Sequence, residues 1–437
     1  MTSLAAFYDL SAVETGHPLM DSHDWLATGA ASSLQVSVDA VTQALTMTSD
    51  QAETLAGPLF GASLFPYLAF LYFLSRPAVD TPKGVTVGFA TCLLFVFLTI
   101  PAAIAAKLLY GVSLADADWL HGSAESLLTL TNLVTVLAFR QALQAKEQES
   151  KQMPASATSY SPMVILVIVG TVLAGITAAV PALAADTAVH TPYLGGFMDL
   201  PTDWINSITP RAQPENALSI PCWIIHISSL VEFLVAMGFC WRWADVTGQK
   251  TWRGLTWGLL PLHSSGITAC TYHLFYNQIS VLVPLQAFLT CVGNTTAAYA
   301  AWRIARESGW TIPEEVQFWQ SQVESSEDQT SQRKAKQEPA KNTIPLTKAS
   351  TDDASPSLVG FEDLGQALAG DTDYSFLAKL FVGSAVASYA IKYGEVWFDF
   401  PFDANVYAGL SVIIIPSLLN AYKWSQRSRD PSFEGWF

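Results

Sequence analysis

Charged residues are scarce in this sequence. Asp, Glu, Lys and Arg make up 14% of its 437 residues, whereas hydrophobic residues make up 51%. Soluble globular domains contain about 25% charged residues, so this composition indicates an integral membrane protein. The formal net charge is −15 and the sequence contains no basic patch. A nucleic-acid partner therefore has no electrostatic support.

Cysteine is also sparse, and its spacing argues against the common cysteine frameworks. The five cysteines lie in apolar stretches, and none belongs to a CxxC pair. This pattern disfavours both a zinc knuckle and a secreted disulfide framework. We expect free thiols that pack as small hydrophobic side chains.

Lys and Arg are absent from the first 75 residues, where Asp and Glu supply all of the charged side chains. This stretch resembles neither the basic region of a signal peptide nor an Arg-rich transit peptide. We expect residues 1–57 to form an acidic tail in front of the membrane domain.

Nine stretches approach the length of about 20 mainly apolar residues that a membrane-spanning helix requires. They lie near residues 58–75, 85–108, 122–142, 162–185, 219–241, 254–276, 279–303, 374–392 and 404–421. These stretches predict an all-α fold, namely a polytopic helical membrane protein with about nine transmembrane helices.

The loops between these stretches alternate in charge. Basic residues follow the odd-numbered spans: Arg76, Lys83, Arg140, Lys146, Lys151, Arg242, Lys250, Arg253, Arg303, Arg306, Lys423, Arg427 and Arg429. Acidic residues occupy the opposite loops, where Arg211, Lys107 and Lys392 are the exceptions. Because Lys and Arg are retained on the non-translocated side, the pattern predicts an odd number of spans, a translocated N-terminus and a retained C-terminus.

The predicted helices fall into two three-helix groups, one linking helix and a C-terminal helix pair. The predicted domains are the acidic tail (1–57), a three-helix domain (58–142), a linking helix with loops (143–217), a second three-helix domain (218–306), a short amphipathic helix with a disordered linker (307–373) and the helix pair (374–437). Thr311 and Glu314 have the spacing of a capping box, which predicts the start of the short helix.

Ionisable side chains inside the membrane are costly, and each is a candidate site residue. Glu232, His263 and Asn294 lie on three successive predicted spans. At about 1.5 Å per residue, all three fall at a similar depth on the retained side of the midplane. The sequence therefore predicts an intramembrane polar layer made by these side chains.

A second polar cluster is predicted toward the translocated face. The helices of the second group place His226, Cys270, His273 and Asn277 there, and the beginning of the third span adds Asp118, His121 and Glu125. Carboxylates and imidazoles in such a cluster could hold a divalent cation or relay protons.

Other interpretations of these polar residues stay open. Polar side chains also join membrane helices through hydrogen bonds, with no further role. A proton or ion pathway is an alternative, as is chlorophyll or haem ligation by a histidine. Spacing does not support the pigment or haem hypothesis, because His263 and His273 are ten residues apart and do not share a helix face.

Two stretches resemble known families. Ser219-Ile-Pro-Cys-Trp-Ile-Ile-His226, Trp252-Arg-Gly-Leu-Thr-Trp-Gly-Leu-Leu-Pro-Leu-His263 and Ala269-Cys-Thr-Tyr-His273 resemble the uncharacterised family named after hypothetical chloroplast reading frame forty-nine, over about residues 218–306. Leu64-Phe-Pro-Tyr-Leu-Ala-Phe and Asp118-Trp-Leu-His-Gly-Ser-Ala-Glu125 resemble a second cyanobacterial and plastid domain of unknown function, over about residues 58–142.

The resemblance implies a chloroplast location, in the thylakoid membrane, and an association with photosynthesis. The acidic N-terminus would then be lumenal and the C-terminus stromal. The sequence has no nucleotide, nucleophile or redox motif. We therefore expect an auxiliary protein without catalytic turnover that assists the assembly or stability of a photosystem or pigment complex. The alternatives are an ion, proton or small-solute transporter and a chlorophyll- or haem-binding protein.

Overall fold

The computed structural model describes residues 46–150, 203–204, 207, 213–214, 216–312, 373–398 and 404–430. Eight long helices lie in these ranges: α1 (Ser49–Leu74), α2 (Lys83–Ala105), α3 (Asp118–Ser150), α4 (Ile220–Thr247), α5 (Arg253–Leu274), α6 (Leu282–Glu307), α7 (Asp373–Trp397) and α8 (Val406–Arg429). All eight belong to one compact unit, Ser49–Phe437. The all-α prediction is confirmed for the described residues.

Five of these helices are long and apolar enough to cross a membrane. They are α1, α2, α3, α4 and α8. A π-helical segment, Ala106–Tyr110, extends α2. Helices α5, α6 and α7 coincide with predicted spans but are not among these five, and the predicted span 162–185 lies outside the described residues. The predicted linker and almost all of the short helix after Thr311 lie outside them as well. The count of nine spans stays a prediction.

Small and hydroxyl residues line the interface between α5 and α6. A Cβ built on Gly258 would lie 2.8 Å from the carbonyl oxygen of Thr296, closer than side-chain atoms normally approach. The Thr296 hydroxyl donates to the Gly258 carbonyl at 2.6 Å, and the Ser265 and Thr290 hydroxyls are 2.8 Å apart. Small residues allow close approach of membrane helices, and hydroxyls bond across the gap.

The two predicted three-helix groups pack against each other in one bundle. Helix α3 runs parallel to α4, since the Thr129 hydroxyl donates to the Ile225 carbonyl at 3.0 Å and the Asn132 amide donates to the Ser229 carbonyl at 3.2 Å. Helix α1 runs parallel to α6, since the Ser49 hydroxyl lies 3.4 Å from the Ser280 hydroxyl just before α6 and the Asn294 amide donates to the Ser63 carbonyl at 3.0 Å. Polar contacts therefore join α1 and α3 to the second group.

One end of the bundle is rich in basic side chains. Arg242 at the end of α4 pairs with Glu147 of α3, and Arg253 at the start of α5 lies 2.6 Å from Asp245. Helix α3 ends at this basic end, whereas α4 begins at the opposite end. Arg242 and Arg253 thus lie at one end of the bundle, as the predicted charge pattern requires, while the number of spans and the sides of the membrane stay predictions.

Lys392 is an exception to the charge pattern, and its surroundings explain why. Its side chain is fully buried on α7 at the end opposite the basic one, where its ammonium donates to the Leu218 carbonyl. The Glu395 carboxylate lies 3.9 Å away and also accepts from the Gln213 amide at 3.1 Å. Lys392 is therefore paired inside the protein and contributes little charge to the exposed surface.

Candidate functional site

Three histidines converge at the end of the bundle opposite the basic end. His121 lies in the first turn of α3, His226 in the second turn of α4 and His273 in the last turn of α5. Their ring centroids are 4.8–5.0 Å apart, and one nitrogen of each lies within 4.8 Å of the others. All three are buried, with 6%, 6% and 4% of their surface exposed.

Hydrogen bonds orient two of the three rings. The Nδ1 of His226 lies 2.8 Å from the Cys222 carbonyl oxygen, which can only accept, so Nδ1 carries the proton. The Nδ1 of His273 lies 2.9 Å from Oδ1 of Asn277. Both bonds leave the lone pair on Nε2.

Asn277 is itself held by acceptors on the other side. Its amide nitrogen donates to the Asp116 carboxylate at 2.7 Å and to the Ala115 carbonyl at 3.2 Å. These two bonds fix the amide orientation, so the oxygen must face His273. The second oxygen of Asp116 accepts from the Ser113 hydroxyl at 2.7 Å. This bond extends the series of hydrogen bonds from His273 into the loop before α3.

The loop that carries Asn277 has an unusual backbone. Tyr276 and Asn277 both have positive φ, at 50° and 61°. Left-handed conformations are uncommon for residues other than glycine, although Asn tolerates them better than most. The Asn216 amide donates to the Tyr276 carbonyl at 2.5 Å, which helps to hold this loop. The position of Asn277 behind His273 is thus specified by several contacts.

The carboxylates of the predicted cluster have different roles. Asp118 accepts from the Ser219 backbone amide at 3.0 Å, and the Ser219 hydroxyl in turn caps the start of α4. Asp118 therefore aligns the starts of α3 and α4 and does not point into the histidine group. The Glu125 carboxylate lies 3.9 Å from Nε2 of His121, one turn along the same helix.

Comparison with known proteins assigns the two segments that supply the three histidines to two protein families. Residues 217–303 match a family described as a protein of unknown function (DUF2499), and residues 56–144 match another such family (DUF3593). A Ycf49-like protein of Synechocystis sp. is 47% identical over 95 residues, which are 21% of this chain and 91% of the relative. The chain belongs to the Ycf49-like family. The uncharacterized protein ycf49 of Cyanophora paradoxa is 30% identical over 87 residues, 20% of this chain and 85% of the relative. No solved structure matches.

The resemblance noted from the sequence is thereby confirmed, with both segments at the expected positions. The Ycf49-like segment supplies His226 and His273, whereas His121 comes from the DUF3593 segment. The histidine group therefore lies at the junction of two families that are joined in this chain.

Cys270 is not part of the histidine group. It packs beside the apolar cluster formed by Leu218, Cys222 and Trp223. Within the described ranges, the group of His, Cys, Asp and Glu ligand atoms close enough to share one ion consists of the three histidines alone. The thiol is thus best described as a packed side chain, as the sequence suggested for the cysteines.

The structure does not join Glu232, His263 and Asn294 by hydrogen bonds. The Asn294 amide donates to Ser63, while the His263 ring stacks on Phe233 with centroids 6.3 Å apart. One carboxylate oxygen of Glu232 and Nδ1 of His263 are buried without a hydrogen-bond partner. Similar depth alone could not specify which face of its helix each side chain occupies.

The sequence placed Lys392 and Glu395 at this end of the bundle but did not predict that they form a buried pair. Helix α7 is distant in sequence from α4, and the contact between Lys392 and Leu218 spans 174 residues. The one available signal was that Lys392 violated the charge pattern.

Proposed function

We propose that this chain is an auxiliary integral membrane protein of the thylakoid membrane that supports the assembly or stability of a photosynthetic pigment–protein complex. The observation that carries the proposal is family membership, since relatives occur in Synechocystis and in Cyanophora paradoxa. A cyanobacterium and a plastid-bearing alga have oxygenic photosynthesis in common. Five apolar helices of spanning length are consistent with a membrane location.

The surface of the bundle suits a protein with membrane-embedded partners. Helices α1 and α2 expose large apolar side chains, among them Phe65 at 73%, Phe97 at 60% and Leu108 at 79% exposure. In a bilayer such faces contact lipid tails or the helices of neighbouring proteins. A role in complex assembly requires surfaces of this kind.

The proposed topology has nine crossings, with the acidic N-terminal tail in the lumen and the C-terminus in the stroma. Helices α3 and α4 are parallel, so α3 ends at the basic end of the bundle while α4 begins at the other. The end of α3 and the beginning of α4 thus lie at opposite ends of the bundle, which supports the additional crossing that we propose between them. The basic end would face the stroma under the positive-inside rule.

The assembly role is tested by deleting the Ycf49-like gene of Synechocystis. We expect lower photosystem content per cell, measured by low-temperature chlorophyll fluorescence and by native gel electrophoresis of solubilised membranes. Expression of the whole chain should restore the content, whereas an empty vector should not. Unchanged photosystem content in the deletion strain would contradict the proposal.

A second candidate function is supported by Glu232. An ionisable group in a membrane helix commonly marks a proton or ion path, and one oxygen of this carboxylate is buried without a hydrogen-bond partner. Substitution of Glu232→Gln should then abolish proton flux in proteoliposomes, while Glu307→Gln, at an exposed helix end, should leave it unchanged. If the unmodified protein gives no flux, this candidate is rejected.

A further inference from the structure

We propose that His121, His226 and His273 form a binding site for one divalent first-row transition-metal ion. The inference does not depend on the role in complex assembly. It rests on the convergence of three buried imidazoles from three helices, with ligand atoms within 4.8 Å of one another.

The hydrogen-bond inventory of the three rings favours a cation between them. His226 and His273 use their Nδ1 protons on acceptors outside the group, so each offers only a lone pair at Nε2. A neutral His121 carries a single N–H and can satisfy at most one of these two lone pairs. Its Nδ1 is moreover buried without a hydrogen-bond partner. The three side chains are therefore short of donors, and one bound cation would satisfy all three.

The distances are compatible with a metal ion after a small contraction. Nitrogens bound tetrahedrally at about 2.0–2.1 Å lie roughly 3.3 Å from one another. The three ligand atoms now lie within 4.8 Å, so they need to close by at most about 1.5 Å. Rotation of the three rings about their side-chain bonds would supply this contraction.

The surroundings resemble those of functional metal sites. A metal-binding histidine usually donates its second N–H to a carbonyl, a carboxylate or an amide, which fixes the ring. His226 donates to a backbone carbonyl, and His273 is linked through Asn277 to the Asp116 carboxylate. Glu125, at 3.9 Å from Nε2 of His121, can supply a fourth ligand or compensate the positive charge.

The ligand type indicates the class of metal. Imidazole nitrogen suits Zn²⁺, Cu²⁺, Ni²⁺ and Fe²⁺, whereas Mg²⁺ and Ca²⁺ prefer oxygen ligands. A tetrapyrrole fits less well, because an axial histidine must face an open cofactor pocket. Here the three rings face one another at 4.8–5.0 Å between centroids, which leaves room for an ion and not for a macrocycle.

The proposal is tested on the full chain, purified in detergent with a tag that contains no histidine and freed of metal by a chelator. Elemental analysis after Zn²⁺ addition and desalting should give one Zn²⁺ per chain. The variants His121→Gln, His226→Gln and His273→Gln should each bind at least tenfold more weakly. His263→Gln is the matched control, since His263 is also buried on α5 but lies outside the group, and it should bind as tightly as the unmodified protein.

A spectroscopic measurement makes the test independent of variant folding. Cu²⁺ added to the unmodified protein should give an electron paramagnetic resonance spectrum with coupling to three imidazole nitrogens. Loss of Zn²⁺ binding in the three variants supports the site. Where a variant does not fold, coupling to three nitrogens in the unmodified protein supports it instead. Absence of binding by the unmodified protein, equal binding by the three variants and the control, or coupling to fewer than three imidazoles overturns it.

Discussion

Replacing Lys392 with Met removes the positive charge that is buried between α7 and the beginning of α4. The Lys392 side chain is 0% exposed and Glu395 is 4% exposed. The substitution keeps the length and most of the volume of the side chain, so little packing is lost. What is lost is the ammonium that donates to the Leu218 carbonyl and lies 3.9 Å from the Glu395 carboxylate.

The expected destabilisation follows from leaving Glu395 without its cation. Removing one partner of a buried ion pair costs about 3–5 kcal/mol, because the remaining charge is neither solvated nor paired. The Gln213 amide still donates to Glu395 at 3.1 Å, so we expect about 3 kcal/mol, the lower end of this range. The double variant Lys392→Met with Glu395→Gln removes both charges and should recover more than half of the loss.

Thermal unfolding in detergent provides the assay, with a thiol-reactive fluorophore reporting exposure of the buried Cys222 and Cys240. Lys107→Met, in the exposed final turn that extends α2, is the control and should unfold like the unmodified protein. The reasoning is refuted if Lys392→Met unfolds at the same temperature as Lys107→Met, or if the double variant is less stable than the single one.

Three further predictions concern helix packing and the histidine group. Gly258→Ala should lower the unfolding temperature, because the new Cβ would meet the Thr296 carbonyl at 2.8 Å; Gly238→Ala, with nothing within 4 Å, should leave it unchanged or raise it. Chains 1–150 and 151–437, expressed together, should co-purify through the α3–α4 and α1–α6 contacts; separate elution would contradict this packing. Asn277→Ala should weaken Zn²⁺ binding about 10- to 100-fold, measured by competition with a chromophoric chelator, because the second N–H of His273 loses its acceptor; unchanged affinity would show that this bond does not orient the ring.

The helices were the most predictable part of the fold. A membrane-spanning helix requires a long apolar run, which is visible in the sequence. Eight of the nine predicted stretches coincide with helices in the described residues. The helix ends were harder to place, because polar turns such as Ala142–Ser150 continue α3 beyond its apolar part. Hydropathy also could not show that α5 and α6 pack closely together, since that packing depends on small and hydroxyl residues such as Gly258, Ser265 and Thr296.

The histidine group could be predicted to a useful degree, and the midplane layer could not. His121, His226 and His273 lie at one end of their helices, where topology alone brings them to the same face of the bundle. Glu232 and His263 lie near the middle of theirs, where the rotation of each helix decides whether two side chains meet. That rotation is set by contacts such as the one between Gly258 and Thr296, which involve residues distant in sequence.

The contacts between α3 and α4 explain how segments of two families contribute side chains to one histidine group. Three of the hydrogen bonds between these two segments lie at successive depths: the Ser219 amide to Asp118 at 3.0 Å, the Thr129 hydroxyl to the Ile225 carbonyl at 3.0 Å, and the Asn132 amide to the Ser229 carbonyl at 3.2 Å. A slip of one helical turn would move His121 by about 5.4 Å along the bundle axis. That displacement exceeds the 4.8 Å within which the ligand atoms lie. The polar side chains of α3 therefore fix the register that keeps His121 beside the two histidines of the Ycf49-like segment.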